Sequence, residues 1–468
     1  MFNQLKVITM KLLKNSFFRI CAFLGILFVS SIPVAAQGDE IYEVPGINSK
    51  KSIVRYWKDM QYIVYTEDGS TSSFSLVDYS SMSCAKFSSA SYLGVNDFEI
   101  AVDSVFFCGF DGTNPIFGYF DISNLFSTAT GLNTISLGGW FPSSLSGQER
   151  ISDLVKLEAQ LIPPNYCHVY MIGKAEYLQP GYPVRQNRCI VDMRKIGTTW
   201  DYQFSQEHGS TYYYDDVVIT NNFVEVVGHK NGSSGYYNTR YVPPTSVTFL
   251  IPSSPYTVTY YHPTGNTCYS TDPYRPEMAT HLFGDYYALV SYANVCVGGI
   301  VDRGTVLSIF NGSPNCVYRY FIPQGFLDTA DWEFKDFRYN KYTKELYLLQ
   351  EMSNPVSSSL NSVICEFDVG AGGAISSAHA YHQPGIPYFS LDQCDSYNGA
   401  VSVGGIAPIR LWHHFLGEHC VEKTNLPFVS MSNENDFNSY IQYPITSKCA
   451  PNPVSGRLEH YEIIKICE

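Results

Sequence analysis

Charge is scarce in this chain. Asp, Glu, Lys and Arg make up 16% of its 468 residues, with only 30 basic residues against 43 acidic ones. The formal charge of −13 repels phosphate backbones and anionic headgroups, so neither nucleic acid nor a membrane surface is an expected partner. Long amphipathic helical periods are missing, which argues against a helical bundle. Signatures that carry a catalytic mechanism are missing as well: there is no G-x-S-x-G elbow, H-E-x-x-H pair, Walker A loop or complete EF-hand. The glycine-rich stretch 370–373 opens no recognisable helix and so does not read as a phosphate cradle. No C-x-x-C pair or Cys/His spacing fits zinc, and no metal ligands are assigned. What is present is a 45% hydrophobic chain rich in Tyr (37), Phe (29) and Gly (35). That composition suits short strands and turns around a large core.

The first residues read as a targeting signal. Lys6, Lys11, Lys14 and Arg19 precede an apolar run at 20–32, and Val34-Ala35-Ala36 suits cleavage before Gln37, with Met10 an equally good start. The run falls short of the ~20 residues needed to span a bilayer, and Cys21 precedes it, away from a lipoprotein position. The expectation is an exported protein in the periplasm, at the cell surface or in the medium, with residues 1–36 as signal peptide, 37–468 as one domain and no membrane insertion. Export exposes the cysteines to oxidising conditions; one of the 13 lies in the leader. Cys167 with Cys189 and Cys296 with Cys316 are candidates to bridge neighbouring strands, and Cys420, Cys449 and Cys467 to staple the tail. Cys108 and Cys365 fit buried hydrophobic positions as well as they fit disulfides.

Residues 96–122 hold the pattern around which the chain is organised: three short strands separated by a turn at Asp103-Ser104 and a Gly/Asn/Pro loop. Degenerate copies begin near residues 53, 96, 152, 215, 278, 335 and 388, and a charged turn, a Gly after the second strand and an Asp-aliphatic end to the third recur among them. This texture resembles the β-propeller superfamily, and together with the leader it resembles exported propellers of gut Bacteroidetes. The resemblance implies an all-β, seven-bladed β-propeller of four-stranded antiparallel blades. A β-sandwich, or a tandem of sandwiches, is the alternative. Residues 41–44 and 460–466 are strand-like and are expected to complete one blade together and close the ring. Residues 420–452 read as irregular.

The candidate site comes from the repeat. Asp97, Asp153, Asp216 and Asp336 share one phase, each at the start of a first strand (NDFEI, SDLVK, DDVVI, KDFRY). In a propeller these strands line the central channel, so the four carboxylates are expected at its mouth as ligand-binding residues. There they suit sugar hydroxyls, a hard cation such as calcium, or acid/base work. The competing reading is that each Asp caps local N–H groups and fixes its blade. Residues 66–74 (TEDGSTSSF) resemble the Asp-box turn of sialidase-like propellers, with Asp68 and Gly69 adjacent instead of separated; such a box is structural. Trp412-His413-His414, His419, His379 and His382 are a weaker metal candidate. Trp140, Tyr212 to Tyr214, Tyr236-Tyr237 and Tyr260-Tyr261 are candidates to stack on sugars or anchor a protein. The expected function is binding of a glycan or protein at the cell envelope. A propeller-fold glycoside hydrolase or polysaccharide lyase using channel-mouth carboxylates is the alternative, and a scaffold with a filled channel is the third reading.

Overall fold

In the computed structural model the described residues are 40–44, 51–59, 61–78, 83–88, 92–124, 132–143, 147–162, 166–206, 212–230, 235–241, 256–261, 275–297, 300–312, 316–323, 332–352, 362–382, 388–393, 400–404, 409–414, 422–425, 429–430 and 463–465. The leader, Cys420, Cys449, Cys467 and His419 lie outside them. Among the described residues no helix is long and apolar enough to cross a membrane.

The strands form seven sheets, and in six of them the core strands follow one another along the chain. The first blade is Lys51–Lys58, Gln61–Glu67, Ser72–Asp78 and Ser83–Ser88; the second is Gly94–Ala101, Ser104–Phe110, Pro115–Asp121 and Asn133–Ser136. The third, Gly147–Ile162, Tyr166–Leu178, Arg185–Ile196 and Thr199–Gln206, carries an extra strand, Phe141–Ser143, on its inner edge. Blades four, five and six begin with Tyr212–Ile219, Arg275–Phe283 and Trp332–Asn340. The last sheet is composite: Tyr388–Gln393, Ala400–Gly404 and Ile409–His414 are joined antiparallel by Glu40–Val44, which pairs in parallel with Ile463–Lys465. The propeller of small antiparallel sheets is therefore present. Of the seven four-stranded blades expected, however, six are built on four strands consecutive in the chain, and the core of the remaining sheet is a composite drawn from distant parts of the chain. The first strands touch in ring order, and Tyr388–Gln393 touches both Trp332–Asn340 and Lys51–Lys58.

The hydrophobic cores lie between blades. One joins Phe74 and Tyr65 of the first blade to Phe98, Phe107 and Phe120 of the second, with Phe74 at 5.0 to 5.6 Å from the rings of those three phenylalanines. Others join blades two and three, three and four, and five and six. Covered on both faces, the second strand of blade two, Ser104–Phe110, shows five consecutive buried residues instead of alternation.

Two expectations need correction. Residues 420–452 include two strands: Glu422–Asn425 pairs with the outer strand Ile375–His382 of blade six, and Val429–Ser430 with the outer strand Cys316–Pro323 of blade five. Cys167 and Cys189 are free buried thiols, because their strands pair with Cys167 opposite Lys195 and Cys189 opposite Gly173. Cys108 and Cys365 are likewise free and buried. Cys296 lies opposite Val301 and Cys316 opposite Phe310, so the strands of this second pair are separated by the one between them.

The channel-mouth charge cluster

Each first strand runs from the upper end of the ring, where the chain enters it, to the lower end. In six blades it carries a β-bulge near the upper end, between Val95 and Asp97, Leu154 and Lys156, Tyr214 and Asp216, Pro276 and Met278, Phe334 and Asp336, and Tyr388 and Ser390; in Lys51–Lys58 the register shift lies at the lower end instead. A bulge pushes backbone toward the neighbouring strand. The residue opposite is then glycine in four blades: Gly109, Gly173, Gly228 and Gly404. A Cβ on Gly109 or Gly173 would sit 2.0 Å from the carbonyl oxygen of Gly94 or Asp153, so no other residue fits there. The bulge turns the next side chain into the channel.

Three of the four expected aspartates arrive there: Asp97, Asp216 and Asp336 are buried. Each uses its carboxylate in the same way. One oxygen accepts the N–H of the following residue (Phe98 3.0 Å, Val217 2.8 Å, Phe337 3.0 Å). The other accepts an N–H from the first strand of the next blade: Leu157 to Asp97 at 3.3 Å, Ala279 to Asp216 at 2.8 Å, Leu391 to Asp336 at 3.3 Å. Asp392 repeats the device in the composite sheet, accepting from Gln393 at 2.8 Å and from Tyr56 of the first blade at 2.6 Å. These carboxylates fasten blade to blade.

Asp153 is not part of the cluster. Its side chain is 38% exposed and faces Lys174 Nζ at 3.6 Å. Strand Gly147–Ile162 is 16 residues long with two bulges, so the channel phase comes three residues later, at Lys156. The tripeptide Lys156-Leu157-Glu158 therefore stands where Asp97-Phe98-Glu99 and Asp336-Phe337-Arg338 stand in their blades. In five blades a charged residue two positions after the channel position was the available signal for the second tier: Arg55, Glu99, Glu158, Arg338 and Asp392; in blade four Val218 stands there.

The two arginines close the cluster. Arg55 donates to Asp97 Oδ1 (2.8 Å), Asp336 Oδ2 (3.2 Å), Glu99 Oε1 (3.2 Å) and the Phe98 carbonyl (2.9 Å). Arg338 donates to Glu99 Oε1 at 2.6 Å and Asp336 Oδ1 at 3.1 Å. Glu99 belongs to blade two and Arg338 to blade six, which are not neighbours, so their ion pair crosses the channel. Between these groups remains a cavity of about 10 Å³, counted as volume open to the centre of a water molecule. That is room for about one water.

Among the described residues six acids face three bases here, and burial sorts them. Although burial works the other way, Arg55, Arg338 and Lys156 hold Asp336 well below the usual carboxylate range. Burial pushes Asp216 up to about 6 against the pull of Lys156 and of two backbone N–H groups. Burial likewise pushes Asp392 up to about 6 against Arg338 and Arg55. Glu158 is raised well above its ordinary value by burial and then by Glu99. Lys156 is raised, since Asp97, Asp216 and Asp336 outweigh its burial. The number of raised carboxyls matches the excess of acids over bases.

The other candidates disperse. His413 and His414 lie in the composite sheet and His379 and His382 in blade six. Tyr214 is buried beneath Arg188 at 4.2 Å, whereas Trp140 is 38% exposed. Residues 370–373 form a short turn whose Gly373 lies against Ile309 and Tyr286 of blade five. The Asp68 turn is built as an Asx turn: Asp68 Oδ1 accepts from the N–H of Ser70 and Thr71 at 2.7 Å each. Those bonds hold its carboxyl well below the usual range. A second copy, unnoticed in the sequence, stands at the same place in blade two, where Asp111 accepts from Thr113 and Asn114 at 2.9 and 2.7 Å.

No family model and no curated protein matches this chain. Solved structures of similar shape include the β-propeller domain of the Trilobed protease from Pyrococcus furiosus, 8% identical, covering 84% of this chain and 98% of that one with a TM-score of 0.41. The NanB sialidase of Streptococcus pneumoniae is 9% identical, over 86% of this chain and 72% of that one, with a TM-score of 0.36. A puromycin hydrolase is 11% identical, over 76% and 58%, with a TM-score of 0.32. The propeller assignment rests on the strand order.

Proposed function

We propose that this chain is an exported seven-bladed propeller, its composite sheet acting as the seventh blade, and that it works as an interaction module binding a glycan or a protein at the cell envelope. The observation that carries this reading is the state of the channel-mouth carboxylates. Their oxygens accept backbone N–H groups of the neighbouring blade or the two arginines, and the space among them is that of a single water. Glycoside cleavage needs two carboxyl groups flanking an open cleft. A ring of fasteners favours a ligand held on the surface around the channel. The leader sequence supports export.

The test is a glycan-array and thermal-shift comparison of the mature protein with its Asp97→Asn/Asp216→Asn variant, with and without calcium. The expected result is a changed melting temperature with ligand binding retained. Binding or calcium-dependent stabilisation lost in the variant would move the site back to the channel and favour the hydrolase or lyase reading.

A further inference from the structure

The third blade rises above its neighbours. The Leu157 N–H bond to Asp97 puts those two residues at one level. Above that level strand Gly94–Ala101 has three residues and strand Gly147–Ile162 has ten. At about 3.3 Å per residue, less the two bulges, blade three stands about 15–20 Å higher. Its second and third strands follow it upward, to the turn between Leu178 and Arg185. Two blades on, the hairpin of residues 293–304 also continues past the last pair of its first strand, Arg275 with Tyr292. The two projections flank blade four at the upper end of the ring.

The inner edge of the third-blade wall, toward the channel axis, is the short strand Phe141–Ser143. Trp140 precedes it, 38% exposed, with the Arg150 guanidinium 4.7 Å from its ring centroid. Arg150 is itself fixed, donating Nη2 and Nε to Glu176 Oε2 at 2.6 and 2.8 Å. One face of the indole is thus occupied by a clamped cation while the side chain stays partly open. Tyr182, 56% exposed, sits in the turn at the top of the same wall.

We propose that this wall is a carbohydrate-binding surface, with Trp140 as stacking platform, Arg150 and Glu176 as the hydrogen-bonding rim, Tyr182 as an outer contact, and neutral oligosaccharides as the ligand class. The proposal rests on the interaction-module reading and names its ligand. A protein interface core is a contiguous apolar patch depleted of charge. Here the Arg150–Glu176 ion pair adjoins Trp140, with Tyr182 exposed above it, and this mixture of charge and aromatic surface fits a ligand with one apolar face and a hydroxylated edge. A pyranose ring has that form: its C–H face lies on the side of the indole that Arg150 leaves open, and its hydroxyl edge meets the polar rim of Arg150 and Glu176 at the border of the ring. The excess of acidic residues, −13 over the chain, disfavours sialylated or sulfated sugars.

The test uses the full mature chain on an array of neutral gluco-, manno-, galacto- and N-acetylhexosamine oligosaccharides with sialylated and sulfated comparators, followed by titration calorimetry of any hit. Wild type is expected to bind neutral members. Trp140→Ala should weaken binding by at least about tenfold, Glu176→Gln by about three- to tenfold, and Trp140→Phe should keep most of it. Tyr342→Ala, an exposed tyrosine at the lower end of blade six, should change nothing, and melting curves check that each variant is folded. Unchanged affinity in folded Trp140→Ala would overturn the wall as the site while leaving the module reading intact. Binding restricted to anionic glycans, or no glycan bound at all, would overturn the ligand class; in the latter case the module reading passes to protein partners.

Discussion

Asp216 and Asp336 occupy equivalent positions and make equivalent backbone bonds, yet neutralising them should have opposite consequences for stability. Asp336 lies between two arginines, Arg55 at 3.2 Å and Arg338 at 3.1 Å, with Asp336 and Arg55 buried and Arg338 partly so. Asp336→Asn leaves two guanidinium groups short of a counter-charge, and breaking a buried pair from one side costs about 3–5 kcal/mol. Asp216 has no arginine or lysine within ion-pair distance among the described residues, and its carboxyl has risen from 3.8 to about 6. Keeping it ionised at pH 7.5 therefore costs about 3 kcal/mol. Asp216→Asn removes that cost but gives up one acceptor, for the N–H of Val217 or Ala279, a loss of about 1–3 kcal/mol. The two terms nearly cancel, so Asp216→Asn should lie within about 2 kcal/mol of wild type at pH 7.5. The assay is thermal and urea denaturation of both variants at pH 7.5 and pH 5. Asp336→Asn should lose roughly 3–6 °C in Tm at both pH values, scaled for a chain of this size. Asp216→Asn should look worse at pH 5 than at pH 7.5, because acid has already relieved the wild-type carboxylate. Equal losses for the two variants, independent of pH, would refute the electrostatic reasoning.

Wild-type stability itself should follow the raised carboxyls. Asp216 and Asp392, each at about 6 when folded against 3.8 unfolded, bind more protons folded than unfolded, so unfolding free energy should rise as pH falls from about 7 toward 4. A urea-midpoint series across that window checks the sign. Phe74→Ala, which removes the ring at the centre of the first inter-blade cluster, should destabilise by about 3–5 kcal/mol in the same assay. Burial pushes the thiols of Cys167 and Cys365 up to about 12 and raises Cys108 and Cys189 further. Peptide mapping after brief alkylation of the native protein should therefore find these four unmodified, with full labelling in denaturant.

The blades were legible because their signals are local. Alternating apolar residues mark the strands, and Asp59 (φ 47), Gly69 (φ 92) and Gly284 (φ 60) punctuate them at left-handed turns. The phase of the channel residue was legible where the first strand is short, as at Asp97, Asp216 and Asp336. It failed at Asp153 because two bulges in a long strand shift the inward-facing position, and the pairing with Gly173 that reveals the shift is a tertiary fact. Arg55 and Arg338 carried a signal, a charge two positions past the channel position, but their partnership was not legible, since Arg55 reaches residues 42 to 281 positions away and Arg338 reaches Glu99 across 239. Strands Glu422–Asn425 and Val429–Ser430 escaped because each adds to an edge already formed and needs no apolar pattern of its own.

Amide hydrogen exchange resolves the role of the aspartates most directly, since each carboxylate protects an N–H in the following blade. In Asp216→Ala the Ala279 amide should lose protection while Leu157 and Leu391 keep theirs, and in Asp97→Ala the loss should fall on Leu157 alone. If those amides exchange as in wild type while ligand binding disappears, the aspartates form the binding site and the fastening role assigned to them is wrong.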